Sequence, residues 1–337
     1  MGRNYSVDVL KLVFAIFIAM GHFGAELLSS TLIVDCFFVL SGYFIVRSFD
    51  SGKYKEGGSF AYVLARVKRI YPYYIVAFII LFIVKYFIQW NGISALKDAI
   101  KHSLPEIFLI QNIGVSNGGI NYPLWQMSTL IVASYLLFGM LALNRNLVIR
   151  VVCPILAILI YTYLSNIYES HAVVIWGVQY SFFYVPLLRA VGGLTLGMAV
   201  YELVNCIVAK SERWKHGHIL ITILSMVMLL FYRWNHDGYQ ALIAFVGIMI
   251  CCLSSKGIIV WLFNRKCFKI AEKLSLSVYL NHAMLISLFG IPNLTAGGKY
   301  KIIAVYILII VAYSFVFVKV IDICKCFVLK RSCHANG

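Results

Sequence analysis

Charge is scarce in this chain. Asp, Glu, Lys and Arg together make up 12% of its 337 residues, and only 13 positions are acidic. A soluble domain of this length would need far more polar surface, so the scarcity excludes one, and no separate soluble domain is expected anywhere in residues 1–337. Internal repeats and low-complexity tracts are also lacking, which leaves a single domain. The nine cysteines show no spacing of a disulfide framework or a zinc site. Cys36, Cys153, Cys206, Cys251 and Cys252 lie in or near apolar runs, and Cys324, Cys326, Cys333 and His334 read as filler at a helix end, so no metal is expected. The short basic N-terminus has no small-residue cleavage site after it, so the first apolar run reads as retained.

What the chain has instead is apolar length: 62% hydrophobic residues and a mean hydropathy of +0.88 describe a polytopic membrane protein. Windows of roughly 17 to 25 apolar residues fall at 7–28, 31–48, 72–89, 123–143, 147–165, 183–204, 217–232, 238–254, 273–291 and 301–323. The expected fold is therefore all-α, a bundle of about ten membrane-spanning helices. Arg233, Asn235, His236 and Asp237 make the seventh and eighth windows the least distinct. The formal charge of +16 invites nucleic acid as a partner, but its placement points to topology. Most Lys and Arg residues, among them Arg3, Arg47, Arg145, Lys210 and Lys273, collect on one side, which puts both termini in the cytoplasm and makes nucleic acid unnecessary. Residues 59–71 read as a basic amphipathic helix at the cytoplasmic surface, and the outer stretch 90–122 as interfacial packing.

Ionisable groups inside such spans are costly enough to require a reason. Asp8, Lys11, His22 and Glu26 fall within roughly 60° of one face of the first helix. Counting rise along the chain, His22 lies roughly 6 Å and Asp35 roughly 7 Å outside the centres of adjacent spans, so the two are level. Arg189 lies in an outer half, and His282 lies near the middle of its span on a face shared with Ser275 and Tyr279. An imidazole beside a carboxylate suits a general base; a carboxylate beside Arg189 is instead a neutralised structural pair. Gly193 and Gly197 make a small-xxx-small pair for close helix packing, with Gly42 in a similar role, and Trp125 reads as an interfacial anchor.

The order Asp8-Val-Leu-Lys11, His22, Asp35-Cys-Phe-Phe-Val-Leu-Ser41-Gly42-Tyr43 and Arg66-Val-Lys-Arg69-Ile-Tyr-Pro72 resembles the acyltransferase-3 family of integral membrane acyltransferases. Pro123-Leu-Trp125, Arg189-Ala-Val-Gly192-Gly193 and Ser275-Leu-Ser-Val-Tyr279-Leu-Asn-His282 extend the likeness. Two positions depart from it. Lys11 stands where many members have Arg, which keeps the charge but loses bidentate contact. The segment after Trp125 lacks the Glu that many members carry.

The resemblance implies acyl transfer, commonly of acetyl, from cytoplasmic acyl-coenzyme A to a hydroxyl of a cell-envelope glycan or lipid-linked sugar. Acyl-coenzyme A is then a co-substrate, with no permanently bound cofactor, and the cell membrane is the expected location. The family's histidine maps onto His22 and its Arg-x-x-Arg pair onto Arg66 and Arg69. The expectation is His22 as general base oriented by Asp35, with Arg66, Lys68, Arg69, Lys11 and Asp8 at the donor's end. Ser41, Arg189, Trp125, His282, Tyr279 and Glu26 are expected to support the acceptor or the bundle. A transporter or flippase that relays protons or anions through the same His, Asp and Arg is the competing class. An extra extracytoplasmic domain is not expected.

Overall fold

A backbone in hydrocarbon must satisfy its own N–H and C=O groups, and within one segment only a helix does so. The computed structural model describes residues 3–25, 30–90, 92–116, 119–167, 179–180, 183–210, 216–235, 238–291 and 299–335. Its helices are α1 (Tyr5–His22), α2 (Ser30–Asp50), α3 (Gly58–Ile83), α4 (Gly92–Ile107), α5 (Trp125–Leu147), α6 (Cys153–Ile167), α7 (Val185–Ala209), α8 (Gly217–Asn235), α9 (Gly238–Leu253), α10 (Ile258–Phe263), α11 (Ala271–Phe289) and α12 (Lys299–Ala335). A two-residue antiparallel pairing, Gln179–Tyr180 with Phe183–Tyr184, precedes α7. Helix occurs at every one of the expected windows. Among the described residues, six segments are long and apolar enough to cross a bilayer: Tyr5–His22, Ser30–Asp50, Gly58–Ile88, Tyr122–Asn166, Val185–Ala209 and Tyr300–Cys326. Gly217–Tyr232 and Gly238–Leu253 are shorter apolar helices. The 45-residue segment Tyr122–Asn166 holds both α5 and α6, joined by a π-helical turn at Val148–Val152, and α5 is kinked at Asn144, which leaves helical geometry.

Two boundaries differ from the expectation. Helix α1 ends at His22, because Gly24 takes a left-handed φ of 84° that an L side chain adopts at a cost. His22 is thus a terminal residue of its helix, and Glu26 lies outside the described residues. Residues 59–71 are not a separate surface helix. They are the first half of α3, which runs through Pro72 without a break; proline there forfeits the bond its missing N–H would give to the Lys68 carbonyl.

The core is organised around two helix pairs, α2 along α7 and α1 along α11. The α2/α7 crossing is closer than side chains permit. A Cβ at Gly42 would stand 2.0 Å from the Leu194 carbonyl oxygen, and one at Gly197 would stand 1.9 Å from that of Val39. These glycines let the backbones touch, and Phe38, Leu194 and Met198 fill the flanks of the contact, all buried. Adding a methyl group to either position must push the helices apart. Gly42→Ala and Gly197→Ala should each lower stability by about 1–3 kcal/mol or more, read as a lower thermal midpoint in detergent. Gly139→Ala, whose Cβ would meet only the Ser59 hydroxyl at 3.1 Å, should change it far less.

Candidate functional site

The basic residues of the sequence motif converge at one end of the bundle, around α1, α2, α3 and α11. Arg66 turns inward from α3, its Nη2 donating to Ser41 Oγ at 2.9 Å and its Nη1 to Tyr62 Oη at 3.1 Å. Arg69, one turn on, is exposed and pairs with Glu272 at 3.5 Å, while Lys68 is exposed beside it. Arg3 joins Asp8 at 2.9 Å to the same Glu272 at 2.8 Å. Lys11 lies 3.9 Å from Asp8 with its ammonium 5.0 Å from the Phe44 ring centroid. Arg3, Lys11, Arg66 and Arg69 outnumber Asp8 and Glu272, so the cluster keeps an excess of positive charge suited to an anionic group. Neither Arg3 nor Glu272 belongs to the set expected at this end. An acid in the first turn of α11, where the helix dipole favours negative charge, is the signal that could have found Glu272.

Deeper in the bundle, Asp35 on α2 accepts from Arg189 Nη2 on α7 at 2.9 Å, with side chains 0% and 1% exposed. The same Nη2 reaches the Thr31 carbonyl at 3.0 Å, and the guanidinium lies 5.3 Å from the Trp125 ring centroid. Trp125 is buried, so it is a wall of this pair rather than an interfacial anchor. This corrects the expected pairing of Asp35 with His22: among the described residues the carboxylate takes a guanidinium as its ionic partner, and His22 has partners of its own.

Those partners are aromatic. His22 is half-buried and stacks on His282 of α11, centroids 5.1 Å apart and planes 25° apart. Its Nδ1 is 3.4 Å from Tyr122 Oη, and the Tyr122 ring stands edge-on to it at 5.3 Å and 78°. His282 is fully buried and its Nδ1–H donates to the Tyr279 carbonyl at 2.8 Å, since a carbonyl can only accept. Tyr279 Oη donates to the Pro123 carbonyl.

The stretch 90–122, expected as interfacial packing, instead delivers buried polar groups into the bundle. The Glu106 carboxylate, at the end of α4, accepts from Ile120 N at 2.6 Å and Asn121 N at 3.1 Å. Asn121 Nδ2 donates to the Leu280 carbonyl at 3.0 Å, Tyr74 Oη donates to the Glu106 carbonyl at 2.9 Å, and Gln111 Nε2 to Tyr74 Oη at 3.2 Å. Backbone amides at a turn must find acceptors when buried, and Glu106 supplies them. Tyr122 and Glu106 are absent from the expected set; an acid preceded by Pro105 is the cue the sequence offers for Glu106.

Removing one member of a buried ion pair leaves an uncompensated charge, which costs about 3–5 kcal/mol. Asp35→Leu and Arg189→Met should each show that loss in thermal unfolding, and the double variant should recover most of it. Glu106 generates a pH dependence. Burial pushes its carboxyl up to about 7, against the opposing pull of the Ile120 and Asn121 amides and the Lys85 ammonium. The folded protein therefore holds a proton that the unfolded chain, with an ordinary carboxyl, has released. Stability should fall by about 3 kcal/mol as pH rises from about 4.5 to about 7. Denaturant titrations across that interval check the slope, which Glu106→Gln should abolish.

Comparison with curated proteins and with solved structures finds no match. Comparison with protein families matches the acyltransferase domain over residues 4–323, nearly the whole chain. With six apolar helices long enough to cross a bilayer and a match of that extent, the chain belongs to the acyltransferase-3 family and is a multi-pass membrane acyltransferase.

Proposed function

We propose that the protein transfers an acyl group, acetyl in the simplest case, from cytoplasmic acyl-coenzyme A to a hydroxyl of a cell-envelope glycan or lipid-linked sugar, with His22 as general base. One observation carries the reading: α1 runs from the cationic cluster, to which it contributes Lys11, to a half-buried histidine at its other end. Lys11 and His22 are eleven residues apart, roughly 16 Å of helix. An extended pantetheine arm covers about five residues' worth of chain, roughly 15 to 20 Å. Donor phosphates at Arg66, Lys68 and Arg69 thus put a thioester within reach of the imidazole. In this reading ten helices cross the cell membrane, α1, α2, α3, α5, α6, α7, α8, α9, α11 and α12, with both termini in the cytoplasm.

In the step itself, the acceptor oxygen attacks the thioester carbonyl carbon as its proton passes to His22 Nε2. The new C–O bond forms, the C–S bond breaks, and the proton moves from the imidazolium to the departing thiolate. The products are the ester and coenzyme A as its thiol, and His22 is regenerated neutral. Asp35 has no part in this step because Arg189 holds it. Its contribution, with Arg189 and Trp125, is to fix α2 against α7.

His22→Ala should lower kcat by about 100- to 10,000-fold, the worth of a general base. Arg66→Ala with Arg69→Ala should instead raise the KM for acetyl-coenzyme A roughly ten- to a hundred-fold, both measured as coenzyme A release by purified protein. Mass analysis of envelope glycans from cells with and without the protein reads the transferred group; no mass difference would count against a glycan acceptor.

A further inference from the structure

His22 lacks its expected orienter, since Asp35 is committed to Arg189. A base that must present one nitrogen to a substrate needs the other one held, because the held nitrogen decides where the ring proton sits. Among the described residues, the side chain within hydrogen-bonding distance of the His22 ring is Tyr122, its Oη 3.4 Å from Nδ1. Hydrogen bonds at catalytic groups are often long before substrate is bound. Two arrangements satisfy this contact. If the phenol donated, the imidazole proton would sit on Nε2 and no lone pair would be left for a hydroxyl. If Nδ1–H donates to the phenol oxygen, Nε2 is bare and basic.

The surroundings hold Tyr122 in place from both sides. The residue before it is tied to α11 through Asn121 Nδ2 and the Leu280 carbonyl, and to α4 through the Asn121 amide and Glu106. The residue after it is tied to α11 through the Pro123 carbonyl and Tyr279 Oη. Against the face of the imidazole, α11 also supplies His282. That ring is locked by its own Nδ1–H bond to Tyr279, so its Nε2 is a lone pair that offers His22 no competing proton. The His22 ring is therefore bounded edge-on by one ring and face-on by another.

We propose that Tyr122 is the positioning residue of His22: its phenol oxygen accepts the Nδ1 proton and so leaves Nε2 free to take the proton of the acceptor hydroxyl. The inference rests on the reading of His22 as the base. It assigns to the outer stretch 92–124 a part in the chemistry, delivered through one oxygen atom.

Tyr122→Phe keeps the ring in its slot and deletes only that oxygen. With acetyl-coenzyme A as donor and glycan extracted from the envelope of the producing cells as acceptor, kcat should fall about 10- to 100-fold, with the donor KM within about twofold of the parent and the thermal midpoint unchanged. Nitrogen-15 spectra of histidine-labelled protein in nanodiscs, with His22 assigned by its loss in His22→Asn, should show Nδ1 protonated in the parent and a tautomer mixture in Tyr122→Phe. Unchanged kcat in Tyr122→Phe overturns the proposal, as does a fall in kcat that merely tracks lost thermal stability. Nε2 protonated in the parent overturns it without any variant, which keeps the test valid if Tyr122→Phe does not fold. Transfer that survives His22→Ala sinks the base itself; transfer lost in His22→Ala but intact in Tyr122→Phe sinks only the tyrosine's role.

Discussion

The architecture depends on one buried contact between α2 and α7. Asp35 and Arg189 meet where neither can be hydrated, so each must be balanced by the other. A pair of that kind fixes the rotation and depth of two helices more sharply than apolar packing, which tolerates sliding. The glycines alongside serve the same end by a different route: Gly42 and Gly197 remove the side chains that would hold the backbones apart. Charge sets the register and absence of Cβ sets the distance. Once α2 is fixed, Ser41 further along it stands where Arg66 can reach it, and the basic cluster inherits its geometry from a pair elsewhere on the same helix.

Long apolar runs in a chain with 12% charge have few alternatives to helix, so helix occurs in every expected window. The excess of Lys and Arg between windows marks the residues that gather around Asp8 and Glu272. The close approach at Gly197 is visible in its spacing to Gly193. Partner choice is less legible. Rise per residue puts His22 and Asp35 at one level, but level helices share a depth with many neighbours, and azimuth decides which of them meet. Arg189, arriving on a helix far along the chain, takes the carboxylate. Nor can periodicity reach the stretch between α3 and α5, because Glu106, Asn121 and Tyr122 act through turns whose geometry is set by tertiary bonds, including the left-handed residues Leu109 and Asn112.

The separation of the two polar ends also keeps the His22 imidazole apart from the charged groups. His22 ends α1 beside three aromatic or imidazole neighbours, Tyr122, His282 and, beyond His282, Tyr279, none of which brings a formal charge next to it. The charged groups stay at the other end of the same helix, where they are paired and partly hydrated. The two ends thus occupy different dielectric surroundings: the charged groups are screened by water at one, and the imidazole is poorly hydrated at the other.

Helix α11 runs between those ends, holding Glu272 in its first turn and His282 in its second half. An α-helix cannot be stretched or trimmed by a fraction of a turn. One residue inserted between the two positions would advance its outer portion by about 1.5 Å and swing it by roughly 100°, carrying His282 and the Leu280 and Tyr279 tethers away from the imidazole while Glu272 stayed put. The number of residues from Glu272 to His282 is therefore a gauge length, which holds the cationic cluster and the imidazole at one fixed separation.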